Sequence, residues 1–177
     1  MQLGELLNDA FPQQKPEVGV VTAGGIARTY QGPVFDMLGL SSVKIAHADR
    51  HRTGLKNHAA FSSSVFYETL PGAVAPRVIS DQATMKTAAF NDGVTHRLFY
   101  DAEFQAKYVH VELRLRNRAH VWNMLSLPTS DFGRWMASTP DPLAGFAVFV
   151  RRDLVNGLNR EVFVVAVTEY KAGTNTQ

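Results

Sequence analysis

A run of apolar residues between two chain breakers most constrains the fold. Val18 to Thr22 is an almost continuous β-branched run, with Pro16 before it and Gly24-Gly25 after it. A run of this length without polar alternation is typical of a strand that is buried on both faces, as in sheets covered by helices. It predicts the first core strand of an α/β domain.

The first half of the chain continues as alternating short strands and helices. Serines before apolar segments predict helix N-caps at Ser41-Ser42 and at Ser62 to Ser64. The resulting order predicts a Rossmann-like arrangement with right-handed connections. The expected elements are a helix over 2–10, strands at Val18 to Thr22, Val34 to Leu38 and Arg77 to Ser80, helices at Val43 to Ala48 and Val65 to Leu70, and one or two helical turns between the first two strands.

The second half of the chain changes character. Tyr108 to Leu115 alternates apolar and polar residues, whereas Phe146 to Val150 and Val162 to Val167 are short apolar runs. These patterns predict three strands that pair antiparallel. The fold class is therefore expected to be α/β, with a Rossmann-like first half of short parallel strands extended by antiparallel strands into one mixed sheet.

Length and composition indicate a single folded domain. We expect one α/β domain over residues 1–171 and a flexible polar tail over 172–177. The chain has no cysteine, which excludes disulfides and thiolate chemistry. No signal peptide is recognised, and no apolar run approaches the roughly 20 residues of a membrane-spanning helix, so we expect a soluble piece.

The charge of the chain is nearly balanced. Its formal net charge is +2, which is weak evidence for nucleic acid, and no nucleic-acid partner is expected. Arg114, Arg116 and Arg118 alternate with other residues and would share one face of a strand. Either a solvated strand face or an anion-binding stripe explains this pattern.

Several catalytic motifs are missing. Gly24-Gly25 is not part of a dinucleotide or triphosphate loop, and no nucleophile elbow surrounds the serines near residue 62. A group of potential metal ligands, Asp36, His47, Asp49, His51 and His58, suggests as an alternative a free-standing metal- or phosphate-dependent enzyme. Arg50, Arg52 and Lys56 would compete with a cation there. We therefore assign no catalytic residue, metal or cofactor.

Asp36 has the strongest local argument for a specific role. A carboxylate within Val34 to Leu38 is costly to bury without partners, so it should bind something. The partner is either a ligand or the backbone amides of the following turn, which begins at Gly39.

A series of motifs in the first half forms a recognisable pattern. Its members are Gly24-Gly25-Ile26, Tyr30, Val34 to Leu40, Ile45-Ala46-His47, Gly54 and His58. The pattern resembles the soluble region that follows the membrane helices in polytopic bacterial glycosyltransferases of the GT-C class, the relatives of protein mannosyltransferases and arabinofuranosyltransferases. The likeness covers residues 18–72 and, more faintly, 99–108 and 148–154. Pro71-Gly72-Ala73 departs from the Pro-Asp usual in that family.

The resemblance implies a location and a role. The catalytic acid of such enzymes lies between early membrane helices, so this chain alone is expected to transfer no sugar. It would lie at the extracytoplasmic face of the cytoplasmic membrane, against the membrane-embedded portion of the same polypeptide, and position an acceptor glycan or a polyprenyl-phosphate sugar. Side chains suited to carbohydrate hydroxyls are Tyr30, Asp36, His47, Asn57 and His58. A protein-interaction module is a further alternative.

Overall fold

The computed structural model describes residues 3–21, 25–39, 42–48, 61–75, 95, 97–116 and 145–169. The helices are α1 (Leu3–Ala10), α2 (Ile26–Thr29), α3 (Val43–His47), α4 (Ser63–Thr69) and α5 (Ala102–Lys107), with 3-10 helices at Leu98–Tyr100 and Arg152–Gly157. The strands are β1 (Val18–Val20), β2 (Val34–Asp36), β3 (Ala73–Ala75), β4 (Tyr108–Leu115), β5 (Gly145–Arg151) and β6 (Phe163–Thr168). None of the helices in these ranges has the length and apolar character needed to cross a bilayer.

Six strands form one mixed sheet in the order β2-β1-β3-β5-β4-β6. The first three strands in this order are mutually parallel, and we call them the parallel half. The last three pair antiparallel with one another, and we call them the antiparallel half. The halves join where β3 and β5 run antiparallel. The expected α/β class, with short parallel strands extended by antiparallel ones into a mixed sheet, is confirmed.

The strand register aligns the carboxyl ends of the parallel strands. Val20 is paired with Asp36 on one side and with Ala75 on the other. Because β3 pairs Val74 with Phe149, the neighbouring β5 continues beyond Ala75 to Gly145. At about 3.3 Å per residue, the antiparallel half extends roughly 10 Å past this edge of the parallel half.

Each face of the sheet carries its own apolar cluster. The α1 face joins helices α1 and α2 to alternate strand residues; its members include Leu6, Leu7, Val18, Val20, Tyr30, Val109, Val111 and Phe163. The opposite face, which we call the aromatic face, is covered by helices α3, α4 and α5; its members include Phe35, Met37, Ile45, Phe66, Val74, Phe99, Phe104, Tyr108 and Phe149. Strand β1, between the two clusters, is buried on both faces, as its apolar run predicts.

The predicted serine caps are confirmed. The Ser42 hydroxyl accepts a hydrogen bond from the Ile45 amide at 3.4 Å, and the Ser62 hydroxyl accepts one from the Val65 amide at 3.4 Å. These bonds satisfy amide groups that have no partner within a helix. Helices α3 and α4 begin directly after these two serines.

The third strand lies earlier than the expected one. Helix α4 ends at Thr69, its C-cap Leu70 has a left-handed backbone at φ 47°, and Pro71-Gly72 leads straight into β3. Arg77 to Ser80, where the strand was expected, lies outside the described residues. The polar tail over 172–177 also lies outside them, so its expected flexibility stays a prediction.

Candidate functional site at the carboxyl edge of the parallel half

The carboxyl edge of the parallel half is where the chain topology favours a binding site. Helix α2, between β1 and β2, packs on the α1 face through Ile26. Helices α3 and α4, between β2 and β3, pack on the aromatic face through Ile45 and Phe66. In open α/β sheets, ligands bind at the carboxyl ends of the strands where such connections change sides. Here that point lies between β1 and β3.

Asp36 closes the strand β2 with a tight turn at this edge. Its side-chain Oδ1 accepts a hydrogen bond from the Leu38 amide at 3.0 Å, and its backbone carbonyl accepts one from the Gly39 amide at 3.2 Å. Gly39 has φ 77°, a conformation that residues with a Cβ rarely adopt. The carboxylate does bond a backbone amide of the turn, but the donor is Leu38, one residue before the amides expected from Gly39 onward. A ligand role for Asp36 stays a prediction.

Burial decides how Asp36 can act. Only 3% of the residue is exposed. Strand alternation places Asp36 on the same face as Val34 and its register partner Val20, both of which contact the α1-face cluster. The carboxylate therefore shapes the loop that follows β2 from inside the protein.

Tyr30 lies on the same α1 face but is engaged in the core. The residue is 6% exposed, and its hydroxyl donates a hydrogen bond to the Pro16 carbonyl at 2.6 Å. Burial raises the pKa of this hydroxyl well above its usual value. The sugar contact that the family resemblance implies for Tyr30 stays a prediction; in the structure its hydroxyl forms an anchoring bond between two loops.

His47 differs from Asp36 and Tyr30 in being exposed to solvent. It is an exposed residue in the last turn of α3, the helix whose Ile45 packs into the aromatic face. The two remaining candidates, Asn57 and His58, lie outside the described residues, as do Asp49 and His51. The structure therefore does not test whether these side chains converge.

Metal chemistry has no support in the described part of the chain. Within it, no group of three or more His, Cys, Asp or Glu side chains is placed to hold a metal ion. The predicted group includes His51 and His58, so the metal-dependent enzyme stays an untested alternative.

Asn8 is a positioning residue that the sequence does not reveal. Its amide donates to the Thr29 carbonyl at 2.9 Å, and its Oδ1 accepts from the Gln31 amide at 2.9 Å. Helix α1 thereby fixes the exit of α2 and the approach to β2. No local sequence pattern predicts these two hydrogen bonds, because the partners of Asn8 lie more than twenty residues away in the chain.

Comparison with protein-family models, curated proteins and solved structures finds no match to this chain. The site is therefore defined by its own geometry: a buried carboxylate, a glycine turn and a capped helix at one edge of the sheet.

Proposed function

We propose that this chain is a non-catalytic domain of a membrane glycosyltransferase of the GT-C class. In this proposal the domain lies at the extracytoplasmic face of the membrane, against the membrane-embedded portion of the polypeptide. Its loops position an acceptor glycan or a polyprenyl-phosphate sugar. The transfer reaction itself takes place elsewhere in the enzyme.

The Asp36 turn is the observation on which this proposal rests. The described residues that carry the family resemblance belong to the consecutive elements α2, β2 and α3, and the turn links the last two of these. It also lies level with the end of β1, which separates it from the point between β1 and β3 where the chain topology favours ligand binding. The resemblance and the topology therefore indicate the same edge of the sheet.

Asp36 is a positioning residue in this proposal. Its carboxylate holds the Leu38 amide and thereby sets the direction in which the chain leaves β2 toward Gly39. Loops held by a buried scaffold are the usual carriers of binding groups. The exposed His47 side chain, in the last turn of the helix α3 that follows, is then the candidate contact for sugar hydroxyls.

A titration followed by NMR tests this role. The isotope-labelled chain is titrated with farnesyl phosphoryl-mannose, farnesyl phosphoryl-arabinofuranose and matching short oligosaccharides. The amide signals of Leu38, Gly39 and Ser42 are expected to shift with at least one of these probes. Shifts confined to other parts of the chain, or no shift with any probe, would contradict the proposal.

Two substitutions at Asp36 separate a positioning role from a charge effect. Asp36→Ala removes the acceptor of the Leu38 amide, and we expect it to weaken probe binding about tenfold or more, the equivalent of one lost charge-assisted hydrogen bond. Asp36→Asn retains an acceptor oxygen and should recover most of the binding. Asp101→Ala is the matched control, because Asp101 accepts from the Glu103 amide in the same way, at 2.8 Å, at an exposed helix cap.

The native reading frame and the purified chain give two further tests. The frame should encode a series of hydrophobic helices before this domain, and their absence would refute the assignment. The purified chain should release no sugar from the lipid phosphates. Turnover by the chain alone would show that it is catalytic.

A further inference from the structure

A group of exposed basic residues lies at the end of the antiparallel half that extends past the carboxyl edge of the parallel half. Arg114 is paired with Val164 across β4 and β6. The ladder continues to the next residue on the same side, since the Arg116 amide donates to the Val162 carbonyl at 2.9 Å. The Arg116 side chain then donates from Nε to the Arg160 carbonyl at 2.7 Å. We call Arg114, Arg116, Arg160 and Val164 the basic patch.

The basic patch combines charge with an exposed apolar side chain. Val164 is 45% exposed, although valine is more often buried, and 66% of the Arg114 side chain is exposed. Arg116 and Arg160 are also exposed. The Arg114–Glu112 ion pair at 3.1 Å is open to solvent and therefore weak, so other donors of the Arg114 guanidinium remain available.

We propose that the basic patch docks this domain on an anionic membrane surface. Guanidinium groups bind phosphate through paired N–H donors, and each basic residue adds to the attraction of an anionic lipid layer. A surface-binding segment also places apolar side chains among the headgroups, as Val164 would be placed. The exposed apolar side chain of Val164 favours a lipid layer over nucleic acid, because a phosphate backbone offers it no apolar contact.

The position of the patch gives docking a functional orientation. Arg114 lies in the part of β4 that pairs with the start of β5, beyond the carboxyl ends of the parallel strands. The patch and the Asp36 turn therefore lie toward the same end of the sheet. Docking would turn this end to the bilayer, where a polyprenyl-linked sugar has its headgroup. This orientation rests on the proposed function, whereas the lipid contact does not.

Vesicle co-sedimentation tests the docking surface. The purified chain is mixed at low ionic strength with vesicles of phosphatidylcholine alone or with added phosphatidylglycerol. The wild-type chain should sediment with the anionic vesicles only, and added salt should release it. Replacing all three arginines by glutamine should weaken the partitioning about a hundredfold, since each basic residue near such a surface contributes roughly a fivefold effect.

Two variants keep the test specific. Arg114→Lys, Arg116→Lys and Arg160→Lys together retain the charge but lose the paired N–H donors, so this chain should bind less tightly than wild type and more tightly than the glutamine variant. A matched control, Arg28→Gln, Arg97→Gln and Lys107→Gln together, removes the same net charge elsewhere and should retain most of the binding.

Equal sedimentation of the wild-type and arginine-to-glutamine chains overturns the proposal, as does equal loss in the matched control. Circular dichroism of each variant verifies its fold. The sugar titration at Asp36 uses no vesicles. It can therefore fail while docking succeeds, and docking can fail while the titration succeeds.

Discussion

The two halves of the sheet differ in strand length and in the contacts that stabilise them. Strands of the parallel half are three residues long and end level with one another, so little of their stability comes from their own hydrogen bonds. Strands of the antiparallel half run for six to eight residues in a continuous ladder. Short parallel strands expose loop ends at one edge, whereas long antiparallel strands provide the rigid framework beside them.

The difference indicates that the antiparallel half contributes most to global stability, whereas the parallel half holds the loops in position. On the aromatic face, ring contacts are concentrated around β4, β5 and α5. The Phe104 ring stacks on that of Tyr108 with 4.5 Å between ring centroids, and it contacts the Phe149 ring edge-on with 5.2 Å between centroids. The parallel half depends instead on tertiary anchors such as Asn8 and Tyr30. Substitutions in the first group should reduce global stability, and those in the second should act on the position of the loops.

The largest effect is expected from Phe104→Ala. Phe104 is 1% exposed and packs against several rings, so its removal leaves a cavity that should lower the free energy of unfolding by about 3–5 kcal/mol. Urea denaturation measures this change. Phe146→Ala, at a partly buried ring on the other face, should cost less. Equal losses would show that the aromatic face holds no special share of the stability.

A medium effect is expected from Gly4→Ala in helix α1. A Cβ at Gly4 would lie 2.4 Å from Thr29 Oγ1 and 2.6 Å from the Tyr30 amide nitrogen, so α1 and α2 must separate. We expect a loss of about 1–3 kcal/mol, despite the higher helix propensity of alanine. Gly25→Ala is the control, because nothing lies within 4 Å of its Cβ and its φ of −78° suits any residue. A stabilised Gly4→Ala chain would contradict this close contact.

The smallest expected effect is a pH dependence of stability that arises from His110 in the antiparallel half. Burial lowers the pKa of His110 below its usual value, and the neighbouring Glu112 carboxylate partly opposes this shift. The unfolded chain therefore binds a proton more readily than the folded one, so stability is lost as the pH falls from about 6.5 through the folded-state pKa. His110→Gln should reduce this loss in denaturation curves at pH 7 and pH 5. An equal loss of stability from pH 7 to pH 5 in the wild-type and His110→Gln chains would exclude His110 as the source of that loss.

Local signals in the sequence predict most of the individual elements. Apolar periodicity gives α1, serine caps give α3 and α4, and the alternation over Tyr108 to Leu115 gives β4 at its full length. Helix α5 was not predicted, although Asp101 before it and Glu103 in its first turn are ordinary N-terminal signals. The third strand was missed because Ala73–Ala75 has weak strand propensity beside the β-branched residues that follow it.

The strand order and the environment of single side chains depend on contacts between distant residues. Tyr30 illustrates this limit, since its sequence context suits a sugar contact but its hydroxyl meets Pro16 inside the protein. Asp36 is the opposite case: the cost of burying a carboxylate predicts its turn. The sequence thus predicts what a buried polar group must do, but not which polar groups are buried.

The link between helix α1 and Asn159 has a consequence for synthesis of the chain. Asn159 donates from its backbone amide to the Ala10 carbonyl and from its side chain to the Asp9 carbonyl, 150 residues earlier. At roughly 5–20 residues per second, a ribosome needs on the order of ten seconds or more to reach this partner. During that interval α1 can already pack against α2, but it lacks these two hydrogen bonds and the distant members of its apolar cluster such as Phe163. Chaperones that hold nascent chains should therefore influence the yield of this protein.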